Sequence, residues 1–107
     1  MNLRFLGLAG AAALMMTATS AMAAGELHIY NWGDYTSPDV IKKFEQTYNV
    51  KVTLDSYDSN DQMIAKIKAG GSGYDVVMPS SYVIPSMVKD GLLAKVEPDQ
   101  MENFKNM

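Results

Sequence analysis

The sequence predicts an α/β fold built on a parallel sheet of strand order 2-1-3 with helices on both faces, and three observations carry that expectation. Strand-like and helix-like stretches alternate three times along the chain, which is the pattern of a doubly wound sheet. Two of the three helix starts are written as side-chain caps, Ser37 before Pro38 and Ser59-x-x-Gln62. The last strand-like run, Tyr74-Asp75-Val76-Val77-Met78, is almost wholly apolar after Asp75, as in a parallel strand covered on both faces.

Leu27 to Asn31 reads as the first strand. Ser37 then serves as N-cap, Pro38 takes the first helical position, where its missing N–H costs nothing, and Asp39 lies in the first turn, where the helix dipole favours an anion. Val40, Ile41, Phe44 and Tyr48 form the apolar stripe of this helix, and Asn49 ends it. Lys51 to Tyr57 alternates as a second strand. A second helix follows the capping box, with Met63, Ile64 and Ile67 on one face, and Gly70-Gly71-Ser72-Gly73 stops it. After the third strand, Pro79-Ser80-Ser81-Tyr82 turns the chain into a third helix carrying Ile84, Met87, Val88 and Leu92, closed by Lys89 and Gly91. Met63, Met78 and Met87 read as core filling. Placing the third strand beside the first sends the two crossovers to opposite faces and leaves a switch point between those strands. Their carboxyl ends carry Asn31 to Tyr35 and Pro79 to Tyr82, which then converge on one crevice.

Residues 1–23 differ from the rest: Arg4 heads an apolar and small-residue run from Phe5 to Met16, and Ala21-Met22-Ala23 is an A-x-A cleavage site. This is the pattern of a secretory signal peptide cleaved after Ala23; Thr17, Thr19 and Ser20 break the run before it matches a membrane span. No Cys stands at the end of the apolar run, so the expectation is a free protein in an extracytoplasmic space, not a lipid-anchored one. The formal charge is −3 with 48% hydrophobic residues, and removing Arg4 makes the remainder one unit more acidic. That balance argues against a nucleic-acid partner.

Trp32, Asp34 and Tyr35 bring an aromatic face and a carboxylate to the strand end, and Ser80, Ser81 and Tyr82 add hydroxyls. An alkylammonium ligand needs these groups: a π-face for the cation, worth roughly 0.5–2 kcal/mol, and a charge-assisted hydrogen bond. Catalysis is poorly supported, since Ser80 and Ser81 lack a G-x-S-x-G elbow and a histidine to activate them. His28, alone in its strand, has no companion ligand for a metal, so neither metal nor cofactor is expected. The glycines at 70, 71 and 73 follow a helix and precede a strand, the reverse of a phosphate loop. Asp58 and Asp61 read as helix-start charges, and Lys66 and Lys68 as a solvated helix edge.

Four blocks, Leu-His-Ile-Tyr-Asn-Trp-Gly-Asp-Tyr, Phe-Glu-Gln-Thr-Tyr-Asn-Val-Lys-Val, Tyr-Asp-Ser-Asn-Asp-Gln-Met and Gly-Tyr-Asp-Val-Val-Met-Pro-Ser-Ser-Tyr, resemble in order and spacing the start of the periplasmic spermidine/putrescine-binding proteins of ABC transporters. The resemblance runs from Glu26 to Met107. It implies a type II periplasmic-binding-protein fold, two lobes closing on a polyamine, of which residues 24–107 are part of the first lobe. It implies ligand contacts at Trp32, Asp34, Tyr35, Ser80 and Tyr82, a membrane permease as partner, a monomeric state and no enzymatic activity. Gly33 departs from the family pattern, which often has a hydroxyl or acidic side chain there, so contact at that position is limited to backbone. With the second lobe absent, the alternative is a chain that binds nothing by itself; an exported α/β hydrolase fragment ranks below both.

Overall fold

The computed structural model describes residues 24–70 and 73–107, so the expected signal peptide, Gly71 and Ser72 lie outside the described residues. Six elements organise it: β1 (Gly25–Trp32), α1 (Pro38–Tyr48), β2 (Val50–Tyr57), α2 (Asn60–Lys68), β3 (Val76–Val77) and α3 (Ile84–Lys89). A 3-10 turn, Ser81–Val83, leads into α3. The sheet is parallel with the order β2-β1-β3, as expected. β1 and β2 are paired over eight residues, from Gly25 opposite Val50 to Trp32 opposite Tyr57, whereas β3 meets β1 only at Ile29 and Tyr30.

Local side-chain chemistry sets the helix ends. Ser37 Oγ accepts from the Asp39 N–H, and Asn49 closes α1 in the left-handed conformation at φ 52°. Ser59 Oγ accepts from the Gln62 N–H, while Gln62 Oε1 reaches back to the Asp58 N–H, one residue beyond the usual capping-box partner.

Strand alternation divides the side chains between two faces. Tyr30 and Trp32 share one face with Asp55 and Tyr57, and there Met63 of α2, Met87 of α3 and Val83 complete the buried core. Tyr30, Tyr57, Met63 and Met87 are each at most 1% exposed. Tyr30 packs edge-on to Tyr57 at 4.8 Å between ring centres and stacks on Tyr74 at 4.4 Å. On the opposite face, Leu27, Ile29 and Val52 meet Ile41, Val40 and Phe44 of α1 around a gap of about 210 Å³. Helices therefore cover both faces, but unequally.

Four expectations drawn from the sequence are corrected here. The α1 stripe is not core: Val40 is 63% exposed and Tyr48 58%, and only Ile41 turns to the sheet far enough to be half-buried. α1 is instead tied to the open edge of β2, where Glu45 accepts the Val52 N–H at 2.8 Å, a carboxylate filling an edge-strand position. β3 is shorter than the apolar run and is not covered on both faces, with Val76 39% and Met78 43% exposed. At its start the Asp75 N–H donates to the His28 carbonyl at 2.9 Å while the Asp75 carboxylate, not a strand carbonyl, takes the His28 N–H at 2.8 Å, and the edge position leaves the α1 side bare. Met78 is accordingly a surface residue. Around the third helix the buried pair is Val83, which ends the 3-10 turn, and Met87 of α3, four residues on, while Val88 is 60% exposed.

Candidate functional site

The carboxyl end of β1 runs into a loop whose shape is fixed from below. The Gly33 N–H extends the sheet by donating to the Tyr57 carbonyl at 3.1 Å. Asn31, buried at the strand end, accepts the Trp32 N–H at 2.8 Å and donates to Thr36 Oγ1 at 2.8 Å, so one amide spans the whole loop. Between these anchors Asp34 takes a left-handed backbone, φ 62°, uncommon for a residue with a side chain. The result is an open depression of about 540 Å³ edged by Trp32, Asp34 and Tyr35 and floored by Leu54 and Ser56. Trp32 is half-buried, its ring tilted on Tyr57 at 4.9 Å, whereas Tyr35 is 80% exposed.

The second expected segment stands at the end of β3. The Tyr57 hydroxyl donates to the Met78 carbonyl, and burial, with Tyr30 nearby, pushes the Tyr57 phenol above its ordinary value. Asn60, the first residue of α2, accepts the Ser80 N–H at 3.1 Å and donates to the Tyr82 hydroxyl at 2.9 Å. Trp32, Asp34 and Tyr35 are therefore brought around one depression, and Ser80 and Tyr82 are not part of its lining. Tyr57 links the two groups, touching Trp32 with its ring and Met78 with its hydroxyl.

Three residues that frame these segments escaped sequence reasoning. Asn31 and Asn60 are each 5% exposed and use both ends of their amides. Asp58 reads in sequence as a helix-start charge, and its backbone N–H does serve there, but its carboxylate borders the first loop: a Cβ on Gly33 would stand 3.6 Å from Asp58 Oδ1. The one usable signal was that a buried asparagine must satisfy a donor and an acceptor. Lys66 also does more than solvate an edge, since its ammonium lies 5.0 Å from the centre of the Tyr30 ring and 3.8 Å from Asp55, which accepts the Tyr74 hydroxyl. His28 pairs with Glu26 at 3.5 Å, and among the described residues no group of three or more potential metal ligands occurs. An aromatic face, hydroxyls and carboxylate edges suit the recognition of an ammonium group.

The family described as "Hypothetical lipoprotein (MG045 family)" matches residues 1–107. The chain belongs to this family. Among curated proteins it is 42% identical over 102 residues to the putrescine-binding periplasmic protein SpuD of Pseudomonas aeruginosa, covering 95% of this chain and 27% of that protein. It is 38% identical over 105 residues to the spermidine/putrescine-binding periplasmic protein of Escherichia coli, covering 97% of this chain and 30% of the other. Among solved structures, the spermidine/putrescine ABC transporter substrate-binding protein PotD of Streptococcus pneumoniae matches with a TM-score of 0.74 at 37% identity, over 78% of this chain and 26% of that one. The TpPotD lipoprotein of Treponema pallidum matches with a TM-score of 0.67 at 46% identity, over 73% of this chain and 24% of that one. The chain thus spans less than a third of the length of the relatives it matches. The fold is that of a segment of these binding proteins, and the relatives are named as binding proteins, not enzymes.

Proposed function

We propose that this chain takes part in capturing a polyamine, spermidine or putrescine, for import by an ABC transporter. The observation that carries the reading is the grouping of Trp32, Asp34 and Tyr35 round one open depression at the carboxyl end of the central strand. It lies at the carboxyl end of the parallel sheet, on the β1–β2 side, and the relatives SpuD and the Escherichia coli protein are named for putrescine and for spermidine or putrescine. Trp32 and Tyr35 lie along the methylene chain or over an ammonium, and Asp34 pairs with an amine. Ser80 and Tyr82 present oxygens from the end of β3. No bond of the ligand is made or broken, and no cofactor enters.

In this reading residues 1–23 direct export and residues 24–107 form part of the first of two lobes, acting as a monomer in the periplasm and handing ligand to a membrane permease. The family's description as lipoprotein belongs to the family; these 107 residues contain no cysteine to carry a thioether-linked lipid. Residues 24–107 taken by themselves offer one wall of such a two-lobed site and bind weakly, because fewer groups surround the ligand. The test is a thermal melt of the chain with spermidine. A ligand at 100 times its Kd adds about 2.7 kcal/mol to the folded state, so the melting temperature rises with concentration. No rise at millimolar spermidine overturns the reading.

A further inference from the structure

We infer that Asn60 is a positioning residue for the ligand site, setting where Ser80 and Tyr82 stand; the inference rests on the polyamine reading for its ligand but not for its geometry. Asn60 opens α2, yet its side chain leaves the helix and spans twenty and twenty-two positions of sequence to reach the end of β3. It is 5% exposed, whereas Tyr82 is 76% exposed. A phenol that far into solvent ordinarily samples several rotamers, and here its oxygen is tethered to a buried amide at 2.9 Å.

The amide is suited to this task because it offers a donor and an acceptor at one reach. Oδ1 takes the Ser80 N–H, while the Ser80 carbonyl accepts from Val83 and opens the 3-10 turn, so the amide fixes the residue from which that turn starts. Nδ2 donates to Tyr82, which keeps the phenolic proton free and leaves a lone pair that can accept an ammonium N–H. An aspartate would hold Ser80 equally well but would require Tyr82 to turn its own proton inward. Binding to a pre-ordered turn avoids the cost of ordering it, so losing the tether weakens affinity by about three- to tenfold.

Two measurements on the 107-residue chain decide the matter. Amide hydrogen exchange, read by NMR without ligand, is expected to show Ser80 protected, and Asn60→Ala to raise its exchange at least tenfold while amides of the β1–β2 ladder stay as they were. Asn60→Asp keeps the acceptor and nearly the volume, so it restores Ser80 protection and covers the case in which the alanine variant does not fold. Unchanged exchange at Ser80 in the alanine variant, or an unprotected Ser80 in the aspartate variant, overturns the inference. Spermidine titrations then compare Asn60→Ala, Tyr82→Phe and the double variant. Because the amide acts through the phenol oxygen, the double variant loses less than the two single losses multiplied, which simple loosening of the fold would not produce; full multiplicativity contradicts the role. A wild-type chain that ignores spermidine defeats the polyamine reading alone, and the exchange data still decide what Asn60 holds.

Discussion

Removing the Tyr57 hydroxyl is the most discriminating single perturbation of this fold, because it separates packing from hydrogen bonding at the base of the site. Tyr57→Phe keeps the ring, 1% exposed, against Tyr30 at 4.8 Å and Trp32 at 4.9 Å. It deletes one bond, to the Met78 carbonyl. An intramolecular hydrogen bond contributes about 0.5–1.5 kcal/mol net, and a carbonyl left dry costs roughly 1–3 kcal/mol. Met78 itself is 43% exposed, so the expected loss sits near 1 kcal/mol, below the full cost of a dry carbonyl, or roughly 4–8 °C in Tm for a domain of this size. Urea unfolding followed by fluorescence suits the question, since Trp32 is the sole tryptophan and its ring rests on Tyr57. The pH dependence has a definite sign. The Tyr57 phenol is held above the ordinary tyrosine value of 10.0, chiefly by burial, so its contribution is complete below that value and is lost as pH rises through the higher folded value. Phenylalanine does not titrate, and the gap between variant and wild type therefore narrows in that alkaline range. Equal stability at pH 7, or a gap that widens above pH 10, would refute this account of how Tyr57 holds β3.

Other expectations follow the same residues. Met63→Ala, at a site with no exposed surface, is expected to cost about 2–5 kcal/mol, and a chemical melt showing less than 1 kcal/mol would mean that α2 is not held by this contact. Asp34→Gly relieves a left-handed residue at φ 62° and should leave stability equal or higher by up to about 1 kcal/mol while weakening spermidine binding; a lowered Tm would contradict the strain argument. Tyr48→Ser, on a side chain 58% exposed, should move stability by less than about 0.5 kcal/mol, so a larger loss in thermal melts would show that the outer stripe of α1 is packed.

What could be read in advance was the chemistry that is local in sequence. Ser37 and Ser59 signalled their helices because an N-cap hydroxyl satisfies an N–H two or three residues away, whereas the order β2-β1-β3 was an assumption that the sheet bears out, the fixed hand of the crossovers setting only which face each helix takes. The shortfalls are all tertiary. Whether Val40 and Tyr48 are buried depends on what lies over α1, and nothing in their helical spacing says so. The Asp75 carboxylate displaces a backbone acceptor of β3 across 47 positions of sequence, which no run of apolar residues can reveal. Trp32, Asp34 and Tyr35 were legible as a group because they adjoin one another along the chain. Asn31 hid inside a strand and Asn60 inside a helix start, and their roles appear only when Thr36, Ser80 and Tyr82 are seen beside them.

The central claim, that the loop from Trp32 to Tyr35 meets a polyamine, is tested most directly by titrating spermidine into the chain while following the fluorescence of its single tryptophan, with Trp-independent calorimetry in parallel. A saturable change in Trp32 emission is expected, shared by putrescine and absent with equal ionic strength of sodium chloride, together with at least a tenfold loss of affinity in Trp32→Ala by calorimetry. Saturable binding that leaves Trp32 emission unmoved and survives Trp32→Ala at full affinity would contradict it.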